Sequence, residues 1–142
     1  MTESTSNKNS FTRYIPTSAR ILMGLVFLVF GLAGFFITPP KTGIPEGAMA
    51  FGNAMMKTGY LFQLVKGTEV VVGVLLLVNR FVPLALVLIA PNVVNIFLFH
   101  AFLEPSGLPV AVIILTLEIY LAWAYRNSYR SLFAMRATPN AM

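Results

Sequence analysis

The chain has 142 residues, 57% of them hydrophobic and only 11% charged, less than half the roughly 25% of a typical soluble domain. With a mean hydropathy of +0.78, that balance excludes a disordered chain and argues against a soluble enzyme, which at this size would expose much apolar surface to water. The absence of cysteine removes disulfides, iron–sulfur clusters and thiol relays of its own, and the net charge of +5 is distributed as a topology signal rather than a nucleic-acid surface.

Residues 1–18 form a polar leader of Ser, Thr and Asn with Lys8 and Arg13, expected to be flexible. Arg20 precedes an apolar run over residues 21–37 that stops at Thr38-Pro39-Pro40. With its flanking small residues the run is long enough to span, since roughly 20 residues at about 1.5 Å each cover about 30 Å of hydrocarbon. It exceeds the core of a secretory signal and no small-residue cleavage site follows, so it reads as a retained anchor. Next, Ala48, Phe51, Met55 and Gly59 recur at near-helical spacing, with Glu46, Asn53 and Lys57 elsewhere around the wheel. The pattern fits a short amphipathic helix at the membrane surface or the bundle mouth, or else an ordered loop.

Three further apolar runs cover residues 60–78, 81–99 and 108–125, with Asn79-Arg80 as a minimal turn and residues 100–106 as the last connection. None alternates like a barrel strand and each is too long for one. Pro109 suits a first helical turn, and Pro91 predicts a kink beside Asn92 because it leaves the Val87 carbonyl without its helical partner. Tyr60, Trp123 and Tyr125 sit at run ends as interface anchors. The tail, with Arg126, Arg130 and Arg136 beside Tyr129, Leu132 and Phe133, reads as a helix extension on anionic lipid, with docking to a cytoplasmic partner as the alternative.

The predicted fold is therefore all-α: a polytopic membrane protein whose four-transmembrane-helix bundle occupies residues 19–126. A short amphipathic helix separates the first two spans, and a basic amphipathic tail covers residues 127–142. If the N-terminus is cytoplasmic, seven Lys or Arg residues lie on that side against Lys41 and Lys57 opposite, leaving Lys66 within a span. The expected location is the cell membrane, of the bacterial inner-membrane type, with both termini inside.

Polar residues within the spans are the informative ones, because a charge at the bilayer centre costs on the order of 2.5–3.5 kcal/mol and faces the bundle interior. Lys66, Glu69, Asn92, Asn95 and Glu118 are those residues. Counting about 1.5 Å per residue places all five in one slab roughly 9–15 Å below the outer face. Lys66 and Glu69 are three apart and share a face that Gly73 continues, Asn92 and Asn95 are likewise three apart, and Gly24 and Gly31 share a face of the first span. Two readings follow: a midplane polar pocket or relay, or interhelical hydrogen bonds worth about 0.6–2 kcal/mol each. One lysine faces two carboxylates, so one carboxyl is expected neutral, or paired with Arg20 or water. His100 and Glu104, four apart near the outer end of the third span, read as a wet interfacial pair. No further ligand completes a metal site, and one histidine with scattered methionines makes no convincing haem ligation.

Arg20, Gly24 and Gly31 open the first span, and Lys66-Gly-Thr-Glu69 leads through Val-Val-Val-Gly73 to Asn79-Arg80-Phe81-Val82-Pro83. Pro91-Asn92-Val-Val-Asn95 then runs to Phe99-His100 and Glu104-Pro105-Ser-Gly107. In order and spacing these motifs, over residues 17–125, resemble the DoxX-like membrane proteins. The resemblance implies four transmembrane helices, a loose association with quinone-coupled sulfur oxidation or with redox-stress enzymes, and Glu69 as a family hallmark. It implies no catalytic set.

Three functions are expected in this order. The first is an accessory membrane subunit that holds a membrane or cytoplasmic redox partner. The second is a binding or transport module for a quinone, a lipid or another small amphiphile. The third is a membrane oxidoreductase in its own right. No cofactor signature is evident apart from that quinone, intrinsic activity is not expected, and the expected partners are the lipid bilayer and a redox protein rather than nucleic acid.

Overall fold

The computed structural model describes residues 4–37 and 42–133. Among them all regular structure is helical: α1 (Ser4–Phe36), α2 (Glu46–Lys57), α3 (Leu61–Leu77), α4 (Val82–Phe102) and α5 (Leu108–Ala124), with 3-10 turns at Pro105–Gly107 and Arg126–Tyr129. Three stretches are long and apolar enough to cross a membrane: Arg13–Phe36, Val82–Phe102 and Pro105–Ala124. A fourth crossing is reached if α2 and α3, bent by 93°, act as one. Alone, the 17 residues of α3 rise about 25 Å, slightly less than a hydrocarbon core.

The bend has a chemical basis. Gly59 adopts φ +78°, which a side chain would strain. Thr58 Oγ1 donates to the Met55 carbonyl at 2.7 Å and accepts from the Leu61 amide at 2.9 Å, so one hydroxyl finishes α2 and starts α3. The face expected on α2 is present: Ala48 is buried, Phe51 and Met55 are half-buried, and Glu46, Asn53 and Lys57 are exposed. At the opposite end Asn79 and Phe81 take left-handed φ of 56° and 51° to close the turn between α3 and α4.

The core runs along the axis through Met23 and Phe27 of α1, Val72 and Leu76 of α3, Ala85, Leu86, Ile89 and Val93 of α4, and Leu121 of α5. The outer surface is apolar as well, with Leu25, Val29, Val71, Val74, Leu88, Leu98, Ile113 and Ile119 exposed. Lipid supplies no hydrophobic drive between helices, so association rests on close packing. The tightest approach is α1 on α3. An added Cβ at Gly73 would lie 2.6 Å from the Leu28 amide nitrogen and 2.9 Å from the Gly24 carbonyl oxygen, and one at Gly31 would lie 2.9 Å from the Val70 nitrogen. Arg20, buried, donates from Nη1 to the Leu76 carbonyl and, at 3.4 Å, to that of Leu77. It thereby adds a side-chain donor to the carbonyls that close α3, of which that of Leu76 also accepts from the Asn79 amide at 3.3 Å.

Three expectations are corrected. The leader is not a loose segment before the span, because α1 continues back to Ser4 through Pro16. Extending an existing helix avoids the nucleation cost that keeps short polar segments unstructured. The tail does not extend α5 as a helix. The helix ends at Ala124, and the turn after it buries Tyr129 while Leu132 and Phe133 stay exposed. His100 belongs to α4 rather than to the connection after it. Thr38-Pro39-Pro40, Lys41 and Arg136, together with the Lys8 side chain, lie outside the described residues.

Candidate functional site

Gly34 of α1 leaves room for the Lys66 side chain to cross it, since a Cβ there would lie 2.5 Å from Lys66 Cδ. One turn along α3, Glu69 points inward with its side chain 3% exposed. Lys66 Nζ lies 2.8 Å from Glu69 Oε2, and Asn92 Nδ2 of α4 donates to Glu69 Oε1 at 3.3 Å. Both carboxylate oxygens are therefore engaged, one by a cation and one by a neutral amide. An i,i+3 pair fits this geometry because residues three apart lie on one helical face.

Lys66 and Glu69 line a cavity of about 170 Å³ at the α2 end of the bundle, with Asn92 bonded to Glu69 behind it. Val26, Phe27 and Phe30 of α1, Ile96 and His100 of α4, and Val110, Ala111 and Ile114 of α5 complete its wall, so all four long helices contribute. Phe30 and Val110 are about half exposed, at 55% and 49%, and lie among lipid-facing neighbours, so α1 and α5 form the open rim.

The structure thus brings together Lys66, Glu69 and Asn92 and adds His100. It leaves Asn95 and Glu118 out. Asn95 is exposed: three residues turn a helix by about 300°, which puts it about 60° beyond Asn92 and away from the buried stripe of Ile89, Val93 and Ile96. Glu118 does lie on the buried stripe of α5, yet Ala111 and Ile114 occupy the level of Glu69, and Glu118 sits one turn, about 6 Å, further on. A common starting plane for the helices was the wrong premise. Glu118 Oε2 is buried without a hydrogen-bond partner among the described residues, as is Tyr129 Oη. Burial pushes the Tyr129 phenol above its usual range, with Glu118 and Tyr125 acting in the same direction.

His100 is not simply a wet interfacial residue. Its Nδ1 lies 2.9 Å from both the carbonyl oxygen and Oε2 of Glu104, while the ring lines the cavity and packs edge-on against Phe99 at 5.1 Å. Its signal was in the sequence: Ile89, Val93, Ile96 and His100 follow 4-3-4 spacing, so the histidine continues the buried stripe. Phe51 of α2 meets Phe99 at 5.5 Å and fixes α2 over this end. The open rim has no sequence signal of its own, because Phe30 and Val110 look like any lipid-facing residue. Among the described residues no three of His, Asp and Glu converge in a way that could hold a metal ion.

An ion pair lining a cavity among long apolar helices whose outer faces are also apolar defines a multi-pass integral membrane protein. The chain belongs to the DoxX family, whose model matches residues 15–101. That match takes in α1 to α4 nearly to its end, including Lys66, Glu69, Asn92 and His100, and leaves α5 outside. No curated protein and no solved structure matches the chain significantly.

Proposed function

We propose that the chain crosses the cell membrane four times, with α3 as the second crossing and α2 lying across its end at the membrane surface, and that its cavity binds the polar head of a membrane amphiphile such as a quinone or lipid. The observation that carries this reading is the contrast within the cavity: a buried ion pair at the floor and lipid-facing Phe30 and Val110 at the rim. A head group passing between α1 and α5 keeps its tail in lipid. It gives up only its own hydration, which Lys66 replaces, since an ammonium has three donors and one serves Glu69. At about 170 Å³ the cavity is smaller than the roughly 300–1,000 Å³ of a site for a whole drug-sized ligand, which favours a head over an entire molecule.

Arg13, Arg20, Arg80, Arg126 and Arg130 lie toward the end of the bundle at which the first span begins and α5 ends, and Lys57 lies at the other. That asymmetry supports cytoplasmic termini and opens the cavity in the opposite half of the bilayer. In this reading the protein serves a quinone-linked redox system as an accessory membrane subunit that presents an amphiphile to a partner enzyme, with no turnover of its own. Mass spectrometry of protein extracted in mild detergent tests it. The wild type is expected to retain an amphiphile that Glu69→Ala loses at least tenfold, with circular dichroism confirming that the variant stays helical. A co-purifying soluble protein together with an empty cavity would replace binding by scaffolding.

A further inference from the structure

The ring of His100 is held in one orientation by Glu104. Both partners of Nδ1 belong to Glu104, a carbonyl oxygen and a carboxylate oxygen, each 2.9 Å away. Neither can donate while the carboxyl is ionised, so the proton of the neutral ring sits on Nδ1. The ionised state of Glu104 is itself supported: bonds from the Ser106 hydroxyl and the Gly107 amide, with His100 beside it, hold its carboxyl below the usual range. Gly107 packs against the ring along Nδ1, Cε1 and Nε2, and only a glycine leaves room there, because an added Cβ would overlap the imidazole. Phe99 meets its edge at 85°.

The consequence concerns Nε2. In a neutral ring with Nδ1 protonated, Nε2 carries a lone pair and accepts. The ring lines the cavity, where the other polar groups are differently disposed: Glu69 has both oxygens engaged, and Lys66 is a donor only. Resting on the reading of the cavity as a head-group site, we infer that its ligand carries a hydroxyl, alcoholic or phenolic, whose hydrogen is accepted by His100 Nε2 while Lys66 donates to an oxygen of the same head. A head with acceptors alone leaves Nε2 unpaired and faces a lone pair. Glu104 acts as a positioning residue, through the proton it holds on Nδ1.

His100 is the single histidine of the chain, so imidazole nitrogen NMR of the full-length protein in micelles reads it without ambiguity. A ring protonated on Nδ1 alone, with a bare Nε2, is expected, and either the reverse tautomer or a doubly protonated ring overturns the inference. A 4-alkylphenol and a monoacylglycerol, two sources of a hydroxyl, are then each compared with their methyl ethers. At least one hydroxyl compound is expected to move the Nε2 resonance and to bind tenfold or more tightly than its ether, with the difference gone in His100→Phe. The tighter of the two identifies the source. Ethers that bind as well as hydroxyl compounds overturn the hydroxyl assignment and leave the head-group site standing, whereas no binding by any of the four defeats both.

Discussion

The two ends of this bundle are built on different principles. At the α2 end the helices separate around a charged pair, an amide and an imidazole, and aromatic residues from α2 and α4 close over them. At the opposite end the interior is dry, with Met23, Leu76, Leu86 and Leu121 essentially inaccessible, and the polar groups there act as braces or stand alone. The glycines of α1 and α3 serve both ends differently. Gly24 and Gly73 bring backbones together, whereas Gly34 makes way for a long side chain. The same residue type thus supports packing at one level and opens a site at another.

The sharpest way to break this contrast is Gly73→Ala. The added methyl meets main-chain atoms of α1, which cannot give way, so a loss of about 3 kcal/mol is expected in reversible denaturation in micelles. Next in size is Glu69→Ala, which strands Lys66 in the bundle. A loss of about 2 kcal/mol is expected, less than for a fully buried pair because Lys66 is 22% exposed, and Lys66→Ala in addition should recover part of it in a double-mutant cycle. Glu118→Met should move the other way, stabilising the dry end by about 1 kcal/mol, because it removes a buried oxygen that has no partner among the described residues. A destabilising result for Glu118→Met would show that the two ends are less different than the geometry makes them.

The smallest effect sharpens the comparison from the loop side. Glu104 has a folded pKa below the ordinary 4.5, so its bonds to Ser106 and Gly107 contribute fully above pH 4.5 and are lost as pH falls through the folded value. Protection of the Gly107 amide hydrogen, its exchange measured against the intrinsic rate at the same pH, should therefore fall below about pH 4.5, with no matching change in the turn at Asn79.

Much of this was legible in the chain itself. The apolar runs, the Asn79-Arg80 turn and the shared face of Lys66, Glu69 and Gly73 follow from length and helical period, and α3 and α4 meet through the Asn92–Glu69 bond. Periodicity gives rotation well and height poorly. Spacing of three does not put Asn95 on the face of Asn92 that meets the bundle, because the buried stripe of Ile89, Val93 and Ile96 lies on the other side of Asn92. Glu118 lies one turn beyond the level of Glu69 because the helices do not begin at one plane. A position near a helix end suggests an interfacial His100, although its register along α4 points inward. The right-angle bend at Thr58–Tyr60 depends on a hydroxyl serving two helices, which no hydropathy profile records.

Arg20 clasps α3 only by main-chain oxygens, those of Leu76 and Leu77. A clasp on the backbone does not read the side chains it passes, so the brace itself places no demand on the residues at 76 and 77; Leu76 is held instead by its place in the core and Leu77 by its contact with Gly24. The chemical demand falls on the other partner. A lysine at position 20 offers a point charge in place of a planar fork and would hold two neighbouring carbonyls less well, so the grip is specific in its chemistry and the surface gripped is not.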